Sequence, residues 1–222
     1  GHKIAIISDS EDNLWRDDGS GNKVPNTTAL GYTAGYDLDA VNQLTVSAEG
    51  AWHNTGILAN SAEYTSNGNT YQAPSTVDIR AGSLTVKATG NPEAGSTSSS
   101  TGIAAVEGSI VHIVSNDVNI EATDAHHSVG IHADDGNVSI SNAVQGGTSD
   151  TALRVIISAK VGTDLESMTN GIAIEAINNG HVQIVSRGDS GDYVEINGGI
   201  VTDGTGRVTI QTGGGDDIVK LN

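Results

Sequence analysis

The sequence predicts an all-β protein, a right-handed parallel β-helix with three short strands in each coil and loops inserted at the corners. Three observations predict this solenoid. Short apolar patterns recur in a fixed order, Gly, Asn and Asp separate them, and helical periodicity is not evident. One coil cannot bury its apolar face alone, so a fold of this kind is stabilised by stacking repeat upon repeat.

The first pattern is Gly-Ile-x-Ala, which begins at Gly56, Gly102 and Gly130 and has looser copies at Gly171 and Gly199. The shortest spacing between copies indicates the length of a basic coil, and the longer spacings indicate insertions. Each copy predicts a short strand that begins at a glycine and turns its apolar side chains inward.

The second and third patterns alternate apolar and polar residues, which predicts strands with one buried face. The second pattern occupies residues 77–79, 110–114, 138–140, 182–184 and 208–210. The third occupies residues 44–48, 84–88, 118–122, 155–159, 194–196 and 218–221. Parallel strands joined by crossovers favour a right-handed path.

Four stretches between these strands are rich in Ser, Thr, Asn, Gly and Asp, and we predict that they are solvated insertions. They are residues 60–76, 89–101, 143–154 and 160–170. The alternative fold is an antiparallel sandwich, which also has short strands and Gly-rich turns. A sandwich gives no reason for the same patterns to recur in the same order.

Residues 1–43 differ from the repeats at 44–222. Residues 3–7 predict a strand, and the following polar, Asp-rich segment is either an N-terminal cap or an irregular first coil. We interpret the whole chain as a fragment of a longer protein.

Ten basic and 27 acidic residues give a formal charge of −17. This balance disfavours nucleic acids and anionic membranes as partners, because both need clustered Lys and Arg. No apolar run approaches the roughly 20 residues that a membrane-spanning helix needs, so we expect no membrane insertion. Cysteine is absent, so the fold depends on packing and strand pairing.

The succession of Gly-Ile-x-Ala and Gly-x-Val-x-Ile over residues 44–222 resembles the repeats of autotransporter passenger domains and filamentous-haemagglutinin-type adhesins. The resemblance implies a rod on the bacterial cell surface or secreted from the cell. Such a rod displays loops to a host-cell protein, a matrix protein or a glycan and is not an enzyme. A purely structural stalk is a further reading of the same architecture.

Near the C-terminus, residues 213–219 resemble one calcium-binding nonapeptide of RTX proteins. The resemblance implies calcium at Asp216 and Asp217, since carboxylates and carbonyl oxygens suit this ion. The expected fourth glycine is missing, and only a fainter copy occurs at residues 191–194. The alternative is an ordinary Gly-Asp turn that leads into a strand.

Two further features predict binding. Arg187, Gly188 and Asp189 spell the integrin-recognition tripeptide in a Gly- and Ser-rich loop, where a chance match is the alternative. Tyr64 and Tyr71 lie in a long insertion, which makes this loop and residues 91–101 candidates for ligand contact.

An enzyme that cleaves polysaccharides, by lysis or hydrolysis, is the alternative function, since parallel β-helices also carry such enzymes. Their mechanisms need a groove with paired carboxylates, or a calcium site with an Arg or Lys base, and aromatic side chains that stack on sugar rings. The carboxylates considered for it are Glu121, Asp124, Asp134 and Asp135. Histidines 126, 127 and 132 are either transition-metal ligands or solvated side chains. The sequence leaves open whether His112 points inward or outward, because the residues on both sides of it are apolar.

Overall fold

The structure, a computed structural model, describes residues 2–9, 15–17, 23–25, 43–66, 69–91, 98–124, 126–142, 151–162 and 169–222. All regular structure in these segments is β-strand. They contain no helix with the length and apolarity that crossing a membrane requires. The prediction of an all-β chain is therefore confirmed.

The strands, in chain order, are β1 (His2–Asp9), β2 (Trp15–Asp17), β3 (Lys23–Pro25), β4 (Gln43–Glu49), β5 (His53–Asn60), β6 (Ala62–Ser66), β7 (Asn69–Ala73), β8 (Thr76–Thr89), β9 (Ser99–Val106), β10 (Ile110–Asp124), β11 (Ser128–Asp134), β12 (Asn137–Ser141), β13 (Arg154–Val161), β14 (Thr169–Asn170), β15 (Ile172–Ile177), β16 (His181–Val185), β17 (Tyr193–Asn197), β18 (Gly199–Thr202), β19 (Arg207–Gln211) and β20 (Ile218–Leu221).

Most strands belong to two sheets with parallel pairing. The first sheet has the order β1-β5-β9-β11-β15-β18. The second has the order β19-β16-β12-β10-β13-β17-β20, and β8 joins it by pairing with β10 and β4. Among the described strands, antiparallel pairing is limited to the β2–β3 and β6–β7 pairs and to β14, which pairs with β13.

Three strand positions recur along the chain in the same order. One strand of the first sheet is followed by two segments of the second, as in β11, β12 and β13, then β15, β16 and β17, then β18, β19 and β20. Each segment pairs in parallel with its counterpart in the next repeat. The order predicted from the three patterns is therefore the order in which the strands pair.

Two of the strands are longer than predicted. β8 and β10, of 14 and 15 residues, each span the second and third positions without interruption. The buried Ser115 lies between the second and third positions of β10, and its hydroxyl is 3.2 Å from the Gly82 carbonyl oxygen and 3.0 Å from that of Asp117. These hydrogen bonds satisfy two backbone carbonyl groups where the alternation of inward and outward residues changes phase, and the pairing with β8 continues on both sides.

Inward side chains form columns along the stack. Val86, Ile120 and Ile157 lie opposite one another in successive strands, and all three are 0% exposed. The core consists of such Val, Ile, Leu and Ala columns. Complete burial of one of the larger side chains contributes about 1.5–3 kcal/mol to stability.

A column of glycines explains the Gly-Ile-x-Ala pattern. A Cβ atom on Gly102 would lie 2.6 Å from the carbonyl oxygen of Gly130 and 2.5 Å from Cγ2 of Ile120. A Cβ atom on Gly130 would lie equally close to the next repeat, 2.5 Å from the carbonyl oxygen of Ala173. Any side chain at these positions would separate neighbouring repeats, so only glycine fits there.

The predicted copy of this pattern at Gly171 is displaced by two residues. The structure pairs Ile131 with Ile174, so Ala173 and not Gly171 follows Gly130 in the column. The pairing of β15 with β18 is also irregular between Ile172 and Ile174. A sequence motif alone does not reveal this local change of register, because both alignments keep isoleucine inward.

The insertions fall between strands but at different corners. Residues 60–76 lie between the first and second positions and contain the β6–β7 hairpin, and residues 143–154 lie between the second and third. The other two insertions, 89–101 and 160–170, lead from a third position to the next first position.

At the N-terminus, β1 contains the predicted strand and extends the first sheet by pairing with β5. Residues 10–14, 18–22 and 26–42 lie outside the described part of the chain. The assignment of residues 1–43 as a cap or as a first coil therefore stays a prediction.

Candidate functional site

Two consecutive turns bring the predicted tripeptide and the predicted calcium segment together. The chain passes from β16 to β17 through residues 186–192 and from β19 to β20 through residues 212–217. Because β16 pairs with β19 and β17 with β20, one turn lies on the other. The Ser186 amide donates to the Gln211 carbonyl (2.8 Å), and the Gly214 amide donates to the Gly188 carbonyl (2.7 Å). We call these two turns the aspartate corner.

Glycine allows this close approach. A Cβ on Gly213 would lie 2.1 Å from the Gly188 carbonyl oxygen. Gly215 has a φ of +108°, and a Cβ there would lie 2.5 Å from the carbonyl oxygen of Asp189. The Gly-rich segment thus fits directly against the tripeptide, which explains its composition without a bound ion.

Two aspartates inside the corner bind backbone amides of neighbouring repeats. Asp192 is 2% exposed, and its Oδ1 accepts a hydrogen bond from the Leu153 amide at 2.7 Å. Its other oxygen, Oδ2, is 3.4 Å from the Gly213 amide. The Asp217 carboxylate accepts from the Asp192 amide at 2.9 Å. These aspartates cap adjacent turns, so calcium at Asp217 would compete with the Asp192 amide for Oδ1.

The predicted recognition residues lie on the outside of the corner. The Arg187 amide donates to the Asn142 side chain (3.1 Å), and the Asn142 amide group donates to the Arg187 carbonyl (3.3 Å). Arg187, Asp189 and Asp216 are exposed. Asp189 Oδ1 lies 2.7 Å from where a Cβ on Gly214 would be, so this carboxylate rests on the glycine segment. The backbone of the tripeptide is held in place while its charged side chains reach solvent.

A charged cluster begins directly after Asp192. The Tyr193 hydroxyl donates to Glu195, and the Lys220 ammonium donates to the Tyr193 oxygen (3.2 Å) and lies 5.1 Å from the ring centroid. Hydrogen bonds from Tyr193 and then Asn197 lower the pKa of Glu195, and the hydrogen bond to Tyr193 raises the pKa of Lys220. This cluster favours the ionised forms of both side chains.

The tyrosines predicted to bind lie elsewhere. Tyr64 and Tyr71 are directly opposite in the register of the β6–β7 hairpin, and their side chains lie outside the described part of the structure. The hairpin interrupts the chain between β5 and β8, several repeats before the aspartate corner. The structure therefore places two separate candidate surfaces on the chain.

The predicted histidine group is not a cluster. His126 and His127 are exposed in the turn before β11, whereas His132 lies on β11 and its Nδ1 is 2.7 Å from Glu175 Oε2 on β15. Within the described segments there is no group of three or more His, Asp or Glu side chains arranged to hold a metal. Glu175 is a partner that sequence reasoning missed, because it lies in the next repeat.

His112 points outward. Its neighbours Val111 and Ile113 are 0% exposed, and its Nδ1 lies 3.2 Å from the Asp78 carboxylate on β8. The register of β10 against β8 pairs His112 with Asp78, and so determines the orientation of His112 that the sequence left open.

The carboxylates considered for catalysis have different surroundings. Asp124 is 2% exposed and accepts hydrogen bonds from Ser98 (2.6 Å) and the His126 amide (2.8 Å). Asp134 accepts from Asn178 (2.8 Å). Asp135 is exposed, and Glu121 lies opposite Lys87 on the outer surface of β10. Asp124 and Asp134 have structural partners in neighbouring turns.

None of the family models, curated proteins or solved structures compared with the chain matches it.

Proposed function

We propose that this chain is a right-handed parallel β-helix that works as a non-catalytic interaction rod, an adhesin on the bacterial surface or secreted. The observation that carries the proposal is the aspartate corner, where a fixed backbone presents Arg187 and Asp189 to solvent. Binding residues on loops are effective when a rigid scaffold positions them.

The β-helix is supported by the pairing pattern. Strands of successive repeats pair in parallel in both sheets, and inward positions align in apolar columns. The right hand is proposed because crossovers between parallel strands of one sheet take that hand almost without exception. The chain then forms a scaffold whose corners accept insertions without loss of the columns.

The proposed partners are a host-cell receptor, a matrix protein or a glycan. A receptor that binds through a metal ion would use the exposed carboxylate of Asp189, and Arg187 would supply the opposite charge on the same turn. The hairpin that carries Tyr64 and Tyr71 is the second proposed contact, since aromatic side chains suit sugar and protein surfaces.

Calcium is proposed as a ligand of the outer part of the corner. Asp216 is exposed and directly precedes Asp217, and the Gly-rich segment before them offers carbonyl oxygens. Because Asp217 already accepts an amide hydrogen bond, Asp216 would contribute the less constrained carboxylate.

The test is binding of the purified chain to an array of matrix proteins and glycans, with calcium and with a chelator. We expect selective binding without turnover of the ligand, lost in the variant Asp189→Ala and kept in the control Glu49→Ala, an exposed carboxylate on β4. Loss of binding in chelator and in Asp216→Ala would support calcium. Failure to bind anything on the array would contradict the adhesin and favour a structural stalk.

A polysaccharide-cleaving enzyme is the second candidate, and the His132–Glu175 pair is the observation that favours it. The Glu175 carboxylate is hydrogen-bonded to Nδ1 of His132, and Nε2 of His132 has no hydrogen-bond partner among the described residues. An imidazole held in this way can accept a proton from a substrate. Release of reducing or unsaturated sugar ends by the wild type and not by His132→Gln would establish this function in place of the first.

A further inference from the structure

Three neighbouring strands of the second sheet carry an aspartate, a histidine and a serine side by side. The first part of β10 lies between β8 and β12. The register pairs His112 with Asp78 on one side and with Ser139 on the other. The three residues belong to different repeats, so their proximity is not visible in the sequence. We call Asp78, His112 and Ser139 the polar row.

All three side chains of the polar row lie on the outer face of the sheet. The residues directly before and after each of them are 0% exposed, namely Val77, Ile79, Val111, Ile113, Val138 and Ile140. Because successive side chains of a strand point to opposite faces, Asp78, His112 and Ser139 point outward, and each is partly exposed. A small molecule can therefore reach the row from solvent.

Asp78 orients the imidazole of His112. Nδ1 of His112 lies 3.2 Å from Oδ1 of Asp78. An ionised carboxylate only accepts hydrogen bonds, so the shared hydrogen is on Nδ1, and Nε2 of the neutral ring carries the lone pair. The edge of the ring that contains Nε2 is opposite Nδ1 and is turned away from β8. The imidazole can therefore accept a proton on the side of β12.

Ser139 lies on that side. Its hydroxyl makes no hydrogen bond to any residue that the structure describes, and the same is true of Nε2 of His112. The two groups are also not hydrogen-bonded to each other, which is common for a nucleophile and its base before a reactant binds. A serine whose proton can pass to an oriented imidazole is an activated nucleophile.

The surroundings of the polar row favour formation of an acyl-serine over its hydrolysis. Gln183 follows Ser139 in the register, but its Nε2 is 2.9 Å from Nδ1 of His181. The backbone amides lie in the plane of the paired strands and do not face the row. Loss of a single oxyanion donor slows acyl transfer by about 10²–10³-fold. An activated donor with a good leaving group can react without this help, whereas the resulting serine ester has a poor leaving group and should persist.

Apolar side chains flank the row. Ile110 and Val114 are the outward residues before and after His112 on β10, and Ile110 is 39% exposed. The register places them opposite Asn137 and Ser141, the outward neighbours of Ser139 on β12. An acyl chain attached to Ser139 could cover this apolar surface, which favours an apolar chain over an acetyl group.

We propose that Ser139 is an acylation site that accepts an apolar acyl group from an activated ester or thioester. Oγ of Ser139 attacks the acyl carbon, and the bond from Oγ to carbon forms as the bond to the leaving alcohol or thiol breaks. The proton of the hydroxyl passes to Nε2 of His112 and from there to the leaving group. Asp78 is a positioning residue, because it holds the imidazole through Nδ1. The proposal needs only the register of three strands, so it does not depend on the proposed β-helix or on the adhesin function.

The test is incubation of the purified chain with p-nitrophenyl butyrate. Peptide mass spectrometry locates the acyl group, and absorbance follows the release of nitrophenolate. We expect labelling of Ser139 that stops at about one acyl group per chain and is faster than with p-nitrophenyl acetate. His112→Gln should slow the labelling by at least about tenfold and remove the decrease in rate at acid pH that an imidazole base causes. Asp78→Asn should slow the labelling without removing that decrease.

Ser141 is the matched control. It has the next outward position on the same strand, but its register partners are Val114 and Val185. It should stay unlabelled, and Ser141→Ala should react like the wild type. The substituted side chains lie on the outer face, and an unchanged far-UV circular dichroism spectrum would show that each variant is folded.

Three results would overturn the proposal: no label at Ser139, equal labelling of Ser139 and Ser141, or an unchanged rate in folded His112→Gln. Sustained release of nitrophenolate by the wild type and not by Ser139→Ala would also overturn it, because the polar row would then be a hydrolase and not an acceptor.

Discussion

Ile120 illustrates what a single inward side chain contributes. It lies between Val86 and Ile157 in neighbouring strands, and all three are fully buried. An aspartate in its place would put an unpaired charge into the apolar column, and the cost of that burial is large.

We expect Ile120→Asp to lower the free energy of unfolding by more than about 4 kcal/mol, measured by urea denaturation. The control is Asn119→Asp, which adds the same charge on the outward side of the strand and should change stability by less than about 0.5 kcal/mol. Equal stability of the two variants would show that Ile120 is not inward.

Acid should destabilise the chain through Asp203 and Glu195. The Asn178 and Gly206 amides, with the Thr205 hydroxyl and amide, hydrogen-bond to Asp203 and hold the pKa of its carboxyl well below its usual range. A carboxyl with a lowered folded-state pKa stabilises the fold above its unfolded pKa, and that stabilisation is lost as the pH falls towards the folded value.

Stability should therefore decrease as the pH falls below about 4, the ordinary pKa range of carboxyl groups. We expect Asp203→Asn to be less stable than the wild type at pH 7 and to lose less stability between pH 7 and pH 3, measured by urea titrations at both values. Asp135→Asn, at an exposed turn residue, is the control. An unchanged pH dependence in Asp203→Asn would contradict this role.

The residues that point inward were predictable from the alternation of apolar and polar residues along each strand. Once one inward residue of a strand is known, the alternation gives the side on which every other residue of that strand lies. His112 was not predictable, because Ile110 to Val114 are apolar on both sides of it. The neighbouring strands decide the face, and Asp78 then pairs with His112 on the outside. The hydrogen bond from the Leu153 amide to the Asp192 carboxylate was not predictable either, because the two residues are far apart in sequence.

At the scale of strands, the glycine column controls how closely the repeats approach. Gly102 packs against the Gly130 carbonyl and Ile120, so even a methyl group must displace backbone. Gly199 lies in the same sheet, at the last strand, and its nearest neighbouring atom would be 3.7 Å from a Cβ.

We predict that Gly102→Ala lowers stability by about 2 kcal/mol or more, because the backbone of the next repeat must shift. Gly199→Ala should leave the melting temperature unchanged within error. The measurement is thermal unfolding followed by far-UV circular dichroism. Tolerance of alanine at Gly102 would mean that the repeats are not in close backbone contact there.

The positions of the strands were predicted well where the sequence patterns were regular. They were predicted less well where contacts outside the patterns determine where a strand begins and ends. β8 and β10 are continuous through the second and third positions, and the hydroxyl of Ser115 on β10 donates to the Gly82 carbonyl oxygen on β8, a contact that the sequence does not show. The β6–β7 hairpin lies inside a polar insertion that composition assigned to a loop. In the first case the missing information is a contact between residues distant in sequence, whereas the hairpin is a local pairing that polar composition conceals.

For the whole molecule, the order of the three patterns predicted the order of parallel pairing. The reason is that stacked repeats contact mainly their neighbours, so repetition in sequence becomes repetition in space. The aspartate corner was not predicted as a unit, because the tripeptide and the Gly-rich segment belong to successive repeats and meet through strand pairing.

The proposed β-helix predicts an elongated particle. A compact globule of 222 residues would have a radius of gyration of about 17 Å, and small-angle scattering of the chain should give a clearly larger value with a long tail in the distance distribution. The value should be extrapolated to zero protein concentration, because association of chains would lengthen the particle. A value near that of a sphere would reject the β-helix.

The parallel pairing between repeats also has a mechanical consequence. Its backbone hydrogen bonds join one repeat to the next, so tension between the two ends of the stack would load these bonds directly. Each repeat pulled free would add about 3.3–3.6 Å of extended chain per residue. If the proposed adhesin function holds, a cell attached through such a rod would be released in steps, and each step would dissipate part of the load.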